Sequence, residues 1–506
     1  MVNVYSVEQI RAADQYTIAH EPISSLDLME RAANQAFKWI EQHYLASAKK
    51  REFAVFCGSG NNGGDGLVLA RLLLEAEQQV KVFEIALGEG SPDYKANLKR
   101  YKGEKQSLTA EAHDFELQKD CIVLDCIFGT GLSRKVEGFT AEIIKEINQA
   151  SAEVISIDIP SGLFAEDNTE NEAQLVVKAR HTLTFQFPKL AFLFPQNALF
   201  VGNWHIIPIG LSAEYIAQTP STHYLSTQDS VARLLKQTNS FAHKGSNGRA
   251  LLMAGSEGKM GAAILAARAC LRSGVGLLSL QIPEHALAIL QSAVPEAMVE
   301  LDACSTHLSE LKRELKLDAL GIGPGIGQAE ETEKLLKLLI QESTVPMVFD
   351  ADALNILAAN PTYIAFLKPG NILTPHPGEF KRLVGEWKSD FERLNLLKDF
   401  AQRHKQIVVL KGRYTAIAIP DGRVYFNSTG NSGMATGGSG DALTGILTSL
   451  LAQEYSAEKA AILGVYVHGL AGDLAAEKLG TIGMLPSDLI EALPYAFRLL
   501  QESESK

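Results

Sequence analysis

Residues 429–441 read TGNSGMATGGSGD, five glycines and a closing carboxylate directly ahead of an apolar run, ALTGILTSLLAQ. The run predicts a helix. Its first amides lack partners and its dipole is positive there, so this end suits an anion such as phosphate. Glycines around it let a phosphate reach the main chain unobstructed. Asp441 would repel that phosphate, and its use is to take a proton from an incoming hydroxyl, worth about 10²–10⁴ in rate. No Lys-Ser/Thr pair ends the run, which excludes the P-loop pattern. A plainer reading is a glycine turn with an Asp cap. Gly437, Gly438 and Gly440 exceed what a cap needs and favour phosphate chemistry.

The first half offers a second set. Cys57 leads into GSGNNGGDG (58–66) and then LVLARLLLEA. Gly58, Gly60 and Gly63 fit the dinucleotide pattern G-x-G-x-x-G, with Glu84 as its distal acid. Asn61, Asn62 and Asp65 crowd that loop, however, and their oxygens suit a hard cation or ribose hydroxyls better than a pyrophosphate. Asp125 precedes FGTGLSRK (128–135), where Arg134 and Lys135 are available to phosphate, and Asp158 lies in IDIPSGL (157–163). Each Asp alone reads as a cap or turn former. Three acids after three parallel strands point to a site.

Similar clusters recur in the second half: AGSEGKMGAAILAARACLRSGVGLL (254–278), GIGPGIG (321–327), Asp350 with Asp352, and TPHPGEF (374–380). Prolines on both sides of His376 exclude a metal-binding helix, leaving either a satisfied loop histidine or a ligand contact. KGRYT (411–415) offers a cation and open backbone to a nucleotide phosphate.

The elements that must position these residues alternate. Strands are expected at 52–57, 80–86, 121–128, 154–160, 181–187 and 204–210, with helices over 25–44, 66–76 and 141–149. A polar pause at 212–228 marks a domain boundary. Strands then follow at 250–255, 277–283, 317–325, 346–354, 371–379 and 407–412, and 415–426 reads as a hairpin turning at Asp421-Gly422. The site clusters fall after strands, where open parallel sheets bind ligands, so two sheets imply two sites. The fold class expected is α/β in two domains: 1–212, Rossmann-like with three layers, and 225–504.

The chain has 506 residues, 46% hydrophobic and 21% charged, with a net charge of −12. That balance argues against nucleic acid or an anionic membrane as partner, and no apolar stretch approaches the ~18 residues of a membrane span. The N-terminus lacks the pattern of a secretion signal. Cys121 and Cys126 should face opposite sides of one strand, which excludes a shared metal there. Five scattered cysteines are expected as buried free thiols in a cytoplasmic setting.

Taken in order, NNGGDG, DCIFGTGLSRK, DIPSGL and TLTFQFPKLAF resemble the epimerase domain of NAD(P)H-hydrate repair enzymes over about residues 1–211. HKGSNGRALLMAGSEGKMGAA, GIGPG, LTPHPGEF, KGRYT and NSGMATGGSGD resemble the ribokinase-like NAD(P)H-hydrate dehydratase domain over about residues 243–502. The resemblance implies that one domain interconverts the R and S hydrates of NADH and NADPH. The other then dehydrates the S form with ADP and Mg²⁺, releasing AMP and phosphate. In the epimerase it implies substrate contacts at Asn61, Asn62, Gly63, Gly64, Asp65, Gly129, Thr130, Gly131, Leu132, Ser133, Arg134, Lys135 and Asp158. Asn62, Asp125 and Ser161 would hold K⁺, with Asp158 the candidate acid/base. In the dehydratase it implies substrate contacts at Ala262, Gly323, His376 and Asp441, with Asp441 as base. Lys411, Gly412, Arg413, Tyr414, Thr415 and Gly440 would touch the nucleotide. Ser432 and Ser439 stand where Pro and Thr are frequent in the ADP-using branch. A homo-oligomer, a tetramer first, is expected.

Three rivals predict different products. A vitamin-precursor or sugar kinase with an appended nucleotide-binding domain would accumulate a phosphorylated product. An oxidoreductase built on GSGNNGG would turn over redox equivalents. A first domain acting only as a binding module would leave epimers unexchanged.

Overall fold

The computed structural model describes residues 1–46, 51–237, 240–312 and 316–504. Contacts divide the chain into two compact units. The smaller holds Asn3–Ser221 with Ser389–Phe391, and the larger holds Met1–Val2, Thr222–Lys388 and Glu392–Lys506. Both are α/β, as expected.

The smaller unit carries a fully parallel sheet in the order Glu104–Leu108, Gln79–Ile85, Glu52–Cys57, Ile122–Cys126, Glu153–Ile157, His181–Phe185, Asn203–Ile207. Its strands are apolar on both faces because both are covered. Phe53, Val55 and Cys57 enter one buried cluster, whereas Ala54 and Phe56 enter the other. Cys126 and Cys121 fall on those opposite sides, as their spacing requires. From Glu52–Cys57 the chain winds outward to one edge and then returns on the other side at Ile122–Cys126. That reversal opens a crevice at the strands' carboxyl ends.

Two elements differ from expectation. The helix expected from residue 66 spans Asn61–Glu75, so NNGGDG forms its opening turns rather than a loop. Its glycines serve packing as well. A Cβ on Gly63 would lie 1.7 Å from the Gly58 carbonyl oxygen, so the turn can close only without one. The helix expected over 25–44 is α-helical over Ser25–Ile40 and ends in a wider π turn, Glu41–Leu45.

In the larger unit, Met298–Leu301, Leu277–Ile282, Arg249–Met253, Ala319–Ile322, Met347–Phe349, Ile372–Leu373 and Ile407–Leu410 lie side by side and parallel. Ala416–Ala418 and Val424–Phe426 extend the sheet as the expected antiparallel hairpin, with Gly422 at a φ of +96° in its turn. His223–Leu225 then pairs parallel to Val424–Phe426. Winding reverses beside Arg249–Met253, again opening a crevice at the carboxyl ends. The helix Ser439–Ala452 is buried along almost its whole length. It crosses the helix Met260–Arg272 closely, a Cβ on Gly445 being placed 2.0 Å from the Ala266 carbonyl oxygen. Among the described residues no helix is long and apolar enough to cross a membrane.

Candidate functional site

In the larger unit the helix Ser439–Ala452 starts from Gly438, which has a φ of +101° and supplies no side-chain cap. Asp441, in the first turn, therefore does not cap the helix, and its carboxylate has no hydrogen-bond partner among the described residues. Burial first, then the charge of Asp350, pushes its carboxyl up to about 6, with Lys411 opposing and Asp352 adding. The plainer reading of a capping Asp fails on this geometry.

Asp350 organises the surroundings. It follows Met347–Phe349, is fully buried, and accepts from Lys411 Nζ at 2.7 Å and from Thr444 Oγ1 at 2.9 Å. A Cβ on Gly440 would lie 3.3 Å from Lys411 Nζ and 3.6 Å from Asp350 Oδ2, so that glycine keeps open a space that a cation faces. Gly323, at a φ of +132°, holds the Ala319–Ile322 strand exit against the Asp350 carbonyl. Asp352 accepts from the Gly327 N–H at 2.9 Å and pairs with Lys259 at 3.4 Å. Half-buried Ala262 lies beside Gly325 at the start of Met260–Arg272.

His376 is the N-cap of Pro377–Val384. Its Nδ1 accepts from the Gly378 N–H at 2.9 Å, and Nε2 is 3.3 Å from Glu379 Oε1. With Nδ1 occupied as an acceptor, the edge left for a ligand is the half-exposed Nε2 side. The KGRYT turn separates into two parts. Lys411 points at Asp350, with Glu379 at 4.0 Å, whereas Arg413 lies over the Tyr414 ring and reaches the Ser428 carbonyl at 3.4 Å. Thr415 closes the turn on Gly412. Behind the glycine loop, Asp473 accepts from the Gly430 N–H and from Asn431 Nδ2, pinning 429–431. Half-buried His468, held down at about 4 by desolvation, is neutral and donates from Nε2 to the Ser439 carbonyl at 2.9 Å.

In the smaller unit, Asp158 occupies left-handed backbone (φ +67°), a conformation Asp tolerates better than most residues, and its N–H donates to the Leu183 carbonyl at 2.7 Å. Its Oδ1 accepts from Lys189 Nζ at 2.8 Å, and Oδ2 accepts from the Thr130 N–H at 3.4 Å. Lys189 has 0% side-chain exposure and also donates to Thr184 Oγ1 and the Phe187 carbonyl. Asp14, on the helix Val7–His20, has its carboxyl pushed up to about 6, by burial first and then by the charge of Asp158. Asp65 is pushed well above the usual range by burial, then Asp158, Asp14 and Asp93. Lys189 and Asp14 were not singled out in the sequence. An amine within FPKLAFLF was the available sign, because a lysine in an apolar run must snorkel or find a partner.

The Asn62, Asp125 and Ser161 set is brought together around Phe128. Asp125 is fully buried and accepts from Ser156 Oγ at 2.7 Å, the Ser161 N–H at 2.8 Å and Ser161 Oγ at 2.5 Å. Burial raises its carboxyl, and these bonds counter the rise. Asn62 Nδ2 donates to the Phe128 carbonyl at 3.0 Å, while its buried Oδ1 has no hydrogen-bond partner among the described residues. An orphaned amide oxygen beside a carboxylate, a hydroxyl and a carbonyl is an all-oxygen donor set that fits a hard monovalent cation. Gly129 packs against Asn62 and Asp158, and Gly131 lies near Arg11. Gly63, Gly64 and Asp65 are buried in the facing helix and Asn61 is exposed. Leu132 is half-buried and Ser133, Arg134 and Lys135 form an exposed rim, Lys135 pairing with Glu172 at 3.6 Å.

A family model described as NAD(P)H-hydrate dehydratase matches residues 250–495, and one described as YjeF-related protein N-terminus matches residues 25–191. The chain is 38% identical over 508 residues to a bifunctional NAD(P)H-hydrate repair enzyme of Moorella thermoacetica, covering 97% of this chain and 95% of that one. The Escherichia coli enzyme of the same description is 33% identical, with 97% and 93% covered. Among solved structures, an ADP/ATP-dependent NAD(P)H-hydrate dehydratase from Bacillus subtilis is 31% identical with a TM-score of 0.49. It covers 55% of this chain and 98% of that one.

Proposed function

This chain belongs to the bifunctional NAD(P)H-hydrate repair enzymes, an epimerase domain followed by a dehydratase domain, and from that premise we propose the residues that work each step. In the dehydratase, Asp441 takes the proton of the ring hydroxyl. The oxygen so freed attacks the terminal phosphoryl of ADP, forming a new O–P bond as the bond to AMP breaks. The ring nitrogen lone pair then expels phosphate and restores the dihydropyridine. Hydroxide leaves poorly and phosphate leaves well, which is why a nucleotide is spent. Lys411, held by Asp350, and the first amides of Ser439–Ala452 face the transferred charge. Ala262, Gly323 and His376 line the substrate side, and Gly412 to Thr415 hold the adenylate. Three carboxylates around one lysine leave excess negative charge, which fits Mg²⁺; when bound, the ion neutralises phosphate charge.

In the epimerase, Asp158 is the acid/base and Lys189, 2.8 Å from its Oδ1, fixes its direction. Asn62, Asp125 and Ser161 hold K⁺, and 129–135 with Asn61 to Asp65 receive the substrate.

The observation that carries this reading is Asp441, a carboxylate at a glycine-lined helix start that caps nothing and has no hydrogen-bond partner among the described residues. The deciding experiment supplies purified protein with hydrated NADH and either ADP or ATP. Regenerated reduced-nicotinamide absorbance, with one free phosphate and one AMP per turnover on ADP, is expected. A phosphorylated product that persists would instead identify a kinase. A cytoplasmic tetramer completes the proposal, and light scattering reporting a monomer would remove its assembly.

A further inference from the structure

We propose that Asp14 is a second catalytic residue of the epimerase, the acid that hands a proton to the ring nitrogen while Asp158 takes one from the hydroxyl. The inference rests on the epimerase reading above, with Asp158 as its base. The carbon to be inverted carries both the hydroxyl and the ring nitrogen, so it is a hemiaminal and can invert by opening. The base removes the O–H proton, the C–O bond becomes C=O, and the C–N bond breaks with its electron pair going to nitrogen. That nitrogen takes the proton of the acid. Rotation and closure on the other face give the second epimer and return both protons to their carboxyl groups, so nothing else is consumed. One carboxylate cannot be base to the oxygen and acid to the nitrogen in the same step.

Asp14 lies on the helix Val7–His20, which is fastened beside the crevice at both ends. Ahead of the helix, the Tyr5 ring packs edge-on against Phe187 with centroids 4.7 Å apart, and the Phe187 carbonyl accepts from Lys189. The Val7 N–H donates to Glu166 Oε1 at 3.3 Å, and Thr17 Oγ1 accepts from the Ser212 N–H at 2.9 Å. A Cβ on Gly131 would lie 3.4 Å from the Arg11 guanidinium, so this part of the helix looks onto the loop whose Thr130 N–H donates to Asp158. Asp14 follows Arg11 by three positions and shares its face.

Half-buried Asp14 accepts no hydrogen bond among the described residues, although a carboxylate withdrawn from water ordinarily finds a donor. The charges that act on it come from three other segments: Asp158, its partner Lys189, and Asp65 on Asn61–Glu75. Arg11 is the cation one turn back on its own helix. Burial and then Asp158 raise the Asp14 carboxyl to about 6, with Lys189 opposing. A carboxyl raised in this way can donate near neutrality, and a salt-bridged one beside it can accept, which is the division of labour that opening requires.

The test supplies the full chain with S-hydrated NADH and follows conversion to the R form by NMR from pH 5 to 9, with uncatalysed exchange subtracted. An acid works only while protonated, so kcat/KM for exchange should fall as pH rises through about 6. A profile that is flat or rising above that pH overturns the proposal with no substitution made. Asp14→Asn should lower kcat for exchange by about 10²-fold or more, keep KM within about threefold, and lose the falling limb. Asp14→Glu retains a carboxyl and should retain the limb at a reduced rate, and it decides the matter if the Asn variant misfolds. Exchange near the unsubstituted rate in Asp14→Asn, or a limb missing from an active Asp14→Glu, overturns the role. In ¹⁸O-water, uptake of one solvent oxygen per inversion would mean that water leaves in place of the ring opening, and the step to nitrogen fails. Exchange absent from the unsubstituted protein counts against the epimerase reading itself. An inactive Asp158→Asn beside a fully active Asp14→Asn removes this proposal alone.

Discussion

Asp441 can be isolated by one substitution, because no hydrogen bond of the helix cap depends on it. Asp441→Asn keeps shape and removes the base, so ADP-dependent dehydration should fall by about 10²–10⁴ while epimer exchange continues. The pH dependence follows from the raised carboxyl, pushed up to about 6. A base works only when unprotonated. The kcat/KM for dehydration should therefore rise as pH increases through about 6 and level off above it, a limb the Asn variant lacks. A flat profile in the unsubstituted enzyme would remove Asp441 as base. The Asp158–Lys189 pair answers differently. Lys189→Met leaves a largely buried carboxylate without its cation, so stability should drop by about 3–5 kcal/mol in urea unfolding, with epimer exchange lost. Asp441 was legible in the sequence because its glycines and helix are local. Lys189 was not, since its partner lies 31 positions away and only the fold joins them.

At the scale of elements, most strands were readable because parallel strands covered on both faces are continuous apolar runs. Glu104–Leu108 escaped because it is a polar sheet edge, and Met298–Leu301 because four residues at a sheet edge are too few to show a pattern. The start of Asn61–Glu75 escaped because two Asn and three Gly argue locally for a loop, and tight packing against Gly58 overrides them. His376 was left between two roles, and its capping bonds to Gly378 and Glu379 settle its Nδ1 edge. The glycine loop makes a prediction in which stability and function part. Gly440→Ala adds a good helix former to Ser439–Ala452, worth up to about 1 kcal/mol. Its methyl, however, enters the space faced by Lys411 Nζ and Asp350. Melting temperature should hold or rise while ADP affinity falls at least tenfold by calorimetry. A variant that binds ADP normally would show that phosphate does not occupy that space.

At the scale of the molecule, a net charge of −12 opposes anionic ligands everywhere, so each unit must gather cations and amides locally to hold a nucleotide. The two units do this with different donors, and that difference can be read without any substitution. The smaller unit offers an unpartnered Asn62 oxygen beside Asp125 and Ser161, which suits K⁺. The larger offers carboxylates and a lysine around a glycine-lined helix start, which suits Mg²⁺ with nucleotide. Replacing K⁺ by tetramethylammonium, too large for an amide–hydroxyl–carboxylate cage, should slow epimer exchange measured by NMR. Dehydration of the S hydrate at fixed Mg²⁺ should be unchanged. Chelating Mg²⁺ at fixed K⁺ should do the reverse. If one exchange of ions affected both activities equally, the separate assignment of Asn62 and Asp441 to independent sites would fail.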